Sequence, residues 1–287
     1  MQSSFRSVVP FLAACAGLLA CSDARASSRE LAGDGESAAE SGAPSPRELV
    51  IKAGEYAFLA PDTVPAGLTR VRLTNIGKEM HHLQVSRLDD GRTLKDVLDA
   101  IAARAVSVPW LTPVGGPSVV TPGRERDVVV DLAPGNYVLL CFMPENHLGK
   151  GMARSLVVTP PAQSTRAEPH FDARMVLNDF TFTTTPSLRA GRRTLRVENG
   201  AAQWHEVFIA RLAPGAKPDD VFAWLRAPEG PPPFEPAGGA MALGRGQVNY
   251  MTVDLSPGEY ALLCFVPDVK DHKAHVEHGM VGAFTIP

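Results

Sequence analysis

The sequence predicts an all-β protein made of two small β-sandwiches in tandem. Three observations lead there: a pattern that occurs twice, alternation of polar and apolar residues within each occurrence, and turn signals that cut the chain into short runs. "VVVDLAPGNYVLLCFMP" (128–144) returns as "MTVDLSPGEYALLCFVP" (251–267), and "TNIGKEMHHLQVSRL" (74–88) returns more loosely as "ENGAAQWHEVFIARL" (198–212). A repeat of this size means that a whole structural unit has been copied. Asn75 and Asn199 lie 124 positions apart, Cys141 and Cys264 lie 123 apart, and Met152 and Met280 lie 128 apart. The second copy therefore has five more residues after its cysteine, where a loop can absorb them.

The pieces follow in order. Arg6 gives a thin positive start, and residues 8–20 are apolar, so residues 1–20 read as a signal peptide. That run ends in "LLAC" (18–21), which resembles the bacterial lipobox and implies acylation at Cys21. The alternative is a plain secretory signal cleaved after the "ARA" of 24–26; either way the chain is exported. Residues 21–47 are small, polar and Pro/Gly-bearing, the composition of a flexible tether. The first copy spans 48–159 and the second 173–287, with a linker at 160–172. "TRVRLT" (69–74) and "RTLRVE" (193–198) alternate as strands with one buried face do. "PAGL", "APGN" and "SPGE" supply turns at sandwich-like spacing. One short helix is expected per copy, within 94–105 and within 218–227.

Composition narrows the function classes. Of 287 residues, 45% are hydrophobic and 21% charged, which is a globular balance. A net charge of −3 offers no basic field for nucleic acid and no polybasic membrane patch. After the signal, no apolar run is long enough to span a bilayer. The acidic residues read as a solvated face. Cys15 and Cys21 belong to the signal, which leaves Cys141 and Cys264 in the body. They hold the same place in two copies, and two such places rarely come within the roughly 4.4–6.8 Å that a disulfide needs between Cα atoms. Each cysteine is then a small buried hydrophobe or a ligand.

Duplication acts as a filter, because a residue with the same task should occur in both copies. His81 matches His205 and His147 matches His275, whereas His82 becomes Glu206 and Lys150 becomes His278. His170 and His272 have no counterpart. Met152 and Met280 recur, while Met80 and Met143 become Trp204 and Val266. What remains is His81, Cys141, His147 and Met152, then His205, Cys264, His275 and Met280. Two imidazoles, a thiolate and a weak thioether are the donor set of a trigonal blue-copper site.

The order His…Cys…His…Met, the Asn/Gly turn before the first histidine and "PGxYxxxC" resemble the cupredoxins, the plastocyanin and azurin family. The resemblance covers both copies. It implies Greek-key sandwiches, type 1 copper at one or two sites per chain, and one-electron transfer with an unidentified redox partner protein. It also implies that His81 and His205 are buried, that His147 and His275 face the surface, and that Met152 and Met280 are axial. Five residues separate Cys141 from His147, and ten separate Cys264 from His275. Both loops exceed the plastocyanin-like length, and the second is closer to two-domain copper nitrite reductases. His272 and His278 flank His275 and compete with it for the assignment. A multicopper oxidase or nitrite reductase would need His-x-His pairs and a histidine directly before the cysteine. Leu140 and Leu263 stand there instead, and no His-x-His occurs, so an enzyme is not expected. A copper-delivery protein and a metal-free binding module are the other readings. Ser22 after Cys21 leans the expected lipid anchor toward the outer membrane, on the periplasmic side.

Overall fold

The computed structural model describes residues 46–105, 108–144, 146–161 and 168–287, which fall within one compact unit. The signal, Cys21 and most of the tether lie outside the described residues, as does the middle of the linker.

The first copy supplies β1 (Arg47–Gly54), β2 (Ala57–Leu59), β3 (Thr63–Pro65), β4 (Gly67–Asn75), β5 (Gln84–Leu88), α1 (Leu94–Ala102), β6 (Leu111–Gly115), β7 (Glu125–Leu132), β8 (Gly135–Leu140) and β9 (Ala153–Thr159). The second supplies β10 (Ala173–Asn178), β11 (Thr181–Thr185), β12 (Gly191–Asn199), β13 (His205–Leu212), α2 (Pro218–Arg226), β14 (Phe234–Leu243), β15 (Val248–Leu255), β16 (Gly258–Leu263) and β17 (Val281–Ile286). A short 3₁₀ turn, His275–His278, precedes β17.

Burial follows the sequence pattern. Along β1 and β4 every second residue is buried, so Leu49, Ile51, Val71 and Leu73 enter the core and their neighbours face water. On β8 and β16 burial becomes continuous after the first two residues, because a helix covers the outer face. Leu94, Val97 and Ile101 of α1 pack with Leu88, Val138 and Leu140. Val221, Phe222 and Trp224 of α2 pack with Phe208, Ala261 and Leu263. Helix α1 starts at a capping box, in which the Thr93 hydroxyl accepts the Asp96 N–H and the Asp96 carboxylate accepts the Thr93 N–H.

The two copies are not separate sandwiches. One sheet runs β11-β10-β12-β15-β7-β4-β1-β2 and the other β17-β16-β13-β14-β6-β5-β8-β9-β3, so both sheets pass through both copies. The joins are β7 to β15, with Val128 opposite Met251, and β6 to β14, with Val114 opposite Leu243. Edge strands expose unpaired backbone groups, and here each copy covers the other's edges. Side chains lock the seam in both directions. Asn249 Nδ2 donates to Val114 O at 2.8 Å, and its Oδ1 accepts the Gly116 N–H at 3.1 Å. Arg126, the residue at Asn249's place in the first copy, donates to Ala237 O at 2.9 Å and to Pro236 O.

Candidate metal centres

In each copy three connections converge. The turns β1–β2 and β10–β11 bring an aromatic residue, the links β4–β5 and β12–β13 bring the first histidine, and the loops β8–β9 and β16–β17 bring the remaining candidates. Asn75 shapes the first link: its Nδ2 donates to Glu79 O at 2.7 Å and to Val120 O at 2.8 Å, and its Oδ1 accepts the Gly77 N–H. His81 is then held by a two-way backbone bridge to Val120. Asn199 repeats this in the second copy, donating to Gln203 O and Leu243 O. Both asparagines are buried, and each connects the strand to the histidine that follows.

One ligand atom from each of His81, Cys141 and His147 lies within 4.8 Å of the others, and the same holds for His205, Cys264 and His275. His147 Nδ1 is 3.7 Å from Cys141 Sγ. In the second copy His275 Nδ1 and His205 Nδ1 stand 3.4 and 3.9 Å from Cys264 Sγ. Met152 and Met280 are fully buried and tied to these groups through the backbone. Met152 N–H donates to His147 O, Cys141 N–H donates to Met152 O, and Met280 N–H donates to His275 O. His275, and neither of its neighbours, joins Cys264. His278 instead pairs with Asp271 at 3.0 Å, and His272 is exposed. Asp268, Asp271 and His278 form a third close group, two of whose members are exposed.

The environment is dry. Both thiols are free, and burial pushes the Cys141 thiol up to about 11 and the Cys264 thiol higher still. Burial also lowers the proton affinity of His81 and His205, and holds His275 at about 4. Both nitrogens of His81 and the Nε2 of His275 are buried without a hydrogen-bond partner among the described residues. Such orphans cost about 1–3 kcal/mol each. A soft or borderline cation fits these groups: it would engage imidazole lone pairs left idle and would stabilise a thiolate that burial alone opposes.

Several features differ from the sequence expectation. His147 and His275 do not face the surface, being 2% and 0% exposed. Tyr56 stands edge-on over His147 with ring centroids 5.3 Å apart, and Phe180 covers His275 at the same 5.3 Å. Nor are the acidic residues only a solvated face. Glu79 Oε2 lies 2.7 Å from His147 Nε2, Asp179 Oδ1 lies 3.2 Å from His205 Nε2, and Glu206 is buried beside Cys264. Sequence reasoning passed over Tyr56 and Phe180, although "GEYAF" and "NDFTF" stand 124 positions apart and place an aromatic at the same point of each copy.

Each copy thus carries a buried His/Cys/His group with a buried methionine tied to it, a donor set that could hold a metal ion. No protein-family model matches the chain, and no curated protein matches it. Among solved structures it is similar to dithionite-reduced auracyanin from the photosynthetic bacterium Roseiflexus castenholzii, at 25% identity, covering 42% of this chain and all of that one, with a TM-score of 0.30. It is similar also to auracyanin A, a "blue" copper protein of Chloroflexus aurantiacus, at 19% identity over 40% of this chain and 100% of that one, TM-score 0.30. The blue copper oxidase of Nitrosomonas europaea matches at 16% identity over 84% of this chain and 86% of that one, TM-score 0.25. Scores this low add nothing to the geometry.

Proposed function

We propose that this chain is an exported copper protein that carries single electrons between partners, with two type 1 sites: His81, Cys141, His147 and Met152 in one, His205, Cys264, His275 and Met280 in the other. Bound copper would supply a one-electron couple. The observation that carries the reading is that two buried groups of the same composition gather thiol and imidazole donors at points where nothing among the described residues satisfies them all.

The chain's own residues do the rest. Two connections of the sandwich hold the histidines, cysteine and methionine of each group and a third covers them with an aromatic ring, which limits rearrangement when charge changes. Burial excludes water and competing ligands. It also favours electron transfer over copper delivery, since a delivery site must let a partner's ligands displace its own, and all eight donor residues here are nearly inaccessible. Leu140 and Leu263 before the two cysteines, and the lack of His-x-His, argue against an oxidase or reductase. Attachment through Cys21 to the periplasmic face of the outer membrane is part of the same proposal, and the lipobox-like "LLAC" supports it.

The test is a visible spectrum of the body from Ser27 onward, titrated with copper(II), for the native chain and for Cys141→Ser and Cys264→Ser. An intense thiolate-to-copper band, halved by each substitution, is expected. Absence of copper binding would sink the proposal and leave a metal-free module. Incorporation of labelled fatty acid, lost in Cys21→Ala, checks the anchor.

A further inference from the structure

The two groups match in composition but differ in what stands behind their histidines. In the first copy Glu79 Oε2 faces His147 Nε2 at an ion-pair distance of 2.7 Å and makes no hydrogen bond among the described residues. Its other oxygen, Oε1, accepts the Tyr56 hydroxyl at 3.0 Å. Lys150 Nζ donates to that hydroxyl oxygen at 2.8 Å and lies 4.2 Å over the Tyr56 ring. His147 is therefore backed by a carboxylate that is itself held in place. His81, the other imidazole of the group, has no hydrogen-bond partner on either nitrogen among the described residues.

In the second copy the arrangement is exchanged. Gln203 stands at Glu79's place and turns away, donating to Asp268 Oδ2 and accepting the Val269 N–H, both at 3.0 Å. Phe180 stands at Tyr56's place with the same left-handed backbone, φ 60° against 62°, and the same edge-on contact, but without a hydroxyl. The carboxylate comes from Asp179, and it faces His205. His275 Nε2 is left buried and bare. At Asp179's place in the first copy, Glu55 is spent instead on the Lys78 N–H. Each copy thus has one backed imidazole and one unbacked imidazole, and the two roles fall on opposite histidines.

A carboxylate on the far nitrogen of a ligating histidine fixes the tautomer, orients the ring and raises its basicity as a ligand. We infer that Glu79 and Asp179 are positioning residues, Glu79 securing His147 and Asp179 securing His205, and that this exchange makes the two centres non-equivalent sites within one chain. The inference rests on the copper reading above, but part of its test does not. Tyr56 belongs to the device as the group that aims Glu79.

The experiment uses the full-length chain. Cys264→Ser isolates the first centre and Cys141→Ser the second. In these backgrounds copper affinity and reduction potential are measured for Glu79→Gln, Tyr56→Phe and Asp179→Asn. Glu79→Gln should weaken copper binding about 10- to 100-fold at the first centre and leave the second unchanged. Asp179→Asn should do the reverse, and Tyr56→Phe should follow Glu79→Gln with a smaller loss. In the metal-free protein, nitrogen-15 spectra should show the proton of His147 and of His205 on Nε2, and the carboxylate substitutions should mix the tautomers. Equal losses at both centres from either substitution, or none at either, would overturn the inference, as would a metal-free His147 protonated on Nδ1. A native chain that binds no copper would remove the proposed function, while the tautomers would still decide whether these carboxylates position the imidazoles.

Discussion

His82 and Glu206 hold the same position in the two copies and make the same contact with opposite chemistry. His82 Nε2 accepts the N–H of Phe142 at 2.6 Å, and Glu206 Oε1 accepts the N–H of Phe265 at 3.0 Å. Each acceptor thereby fixes the residue directly after a cysteine, and so the start of the loop that carries the second histidine. Burial dominates both, lowering His82 to about 3 and raising Glu206 to about 7.

The two shifts oppose each other in pH. For His82 the folded state resists protonation, so its contribution is full above about pH 6.5 and is lost as the pH falls toward 3. For Glu206 the folded state keeps the proton that the unfolded chain gives up, so stability is full below about pH 4.5 and is lost as the pH rises through about 7. Metal-free Glu206→Gln should therefore show no such loss between pH 4.5 and 7, by as much as about 3 kcal/mol at about 1.4 kcal/mol per tenfold change in proton affinity. Melting temperature against pH checks this. A Gln variant whose profile parallels the native one would refute it.

Gly115 tests the seam between the copies. Its φ is +94°, and an added Cβ would fall 1.9 Å from Asn249 Oδ1. Gly115→Ala should destabilise the protein by more than about 2 kcal/mol, combining backbone strain with loss of the Asn249 contacts. Asn249→Ala should cost about 1–3 kcal/mol by leaving buried backbone groups unpaired. Urea unfolding would measure both, and a near-neutral Gly115→Ala would mean that the copies are not held together there.

Asn75 and Asn199 should each matter mainly to their own centre. Asn75→Ala removes the side-chain donor to Glu79 O and Val120 O, and the acceptor of the Gly77 N–H, around the link that carries His81. The expected cost is about 1–3 kcal/mol, with the thiolate–copper band of the first copy altered and that of the second preserved. The two bands can be separated in the Cys→Ser backgrounds.

Metal addition should couple to both protons and stability. Both buried thiols carry their proton in the metal-free protein near neutral pH, so binding should release about one proton per site and tighten as the pH rises. At 100 times its dissociation constant, free copper should add about 2.7 kcal/mol for one site. Calorimetry in buffers of different ionisation enthalpy measures the protons. No proton release alongside binding would place the ion away from the cysteines.

Much of this was legible in the chain because duplication prints the same residue types twice. The strands of β4 and β12 showed in their alternation, α1 and α2 in their apolar spacing, and Asn75 and Asn199 as matched turns before a histidine. The convergence of His81 with Cys141 and His147 followed from placing an early strand beside the end of a late strand and its loop on one sandwich. The buried state of His147 and His275 was not legible. Their cover comes from Tyr56 and Phe180, which lie about 90 positions away in sequence and reach the imidazoles only across the fold.

Local pattern and repetition by themselves determined the β class, the twofold internal copy and the set of candidate donor side chains, because periodicity and matched spacing are properties of neighbouring residues. Tertiary structure alone decided that both sheets run through both copies, and that Glu79 stands behind His147 while Asp179 stands behind His205. Those outcomes depend on which strand edge needs a partner and on which carboxylate lies within hydrogen-bonding distance of which imidazole. Both are set by contacts between residues far apart in the chain, where a shift of one register position would give a different answer.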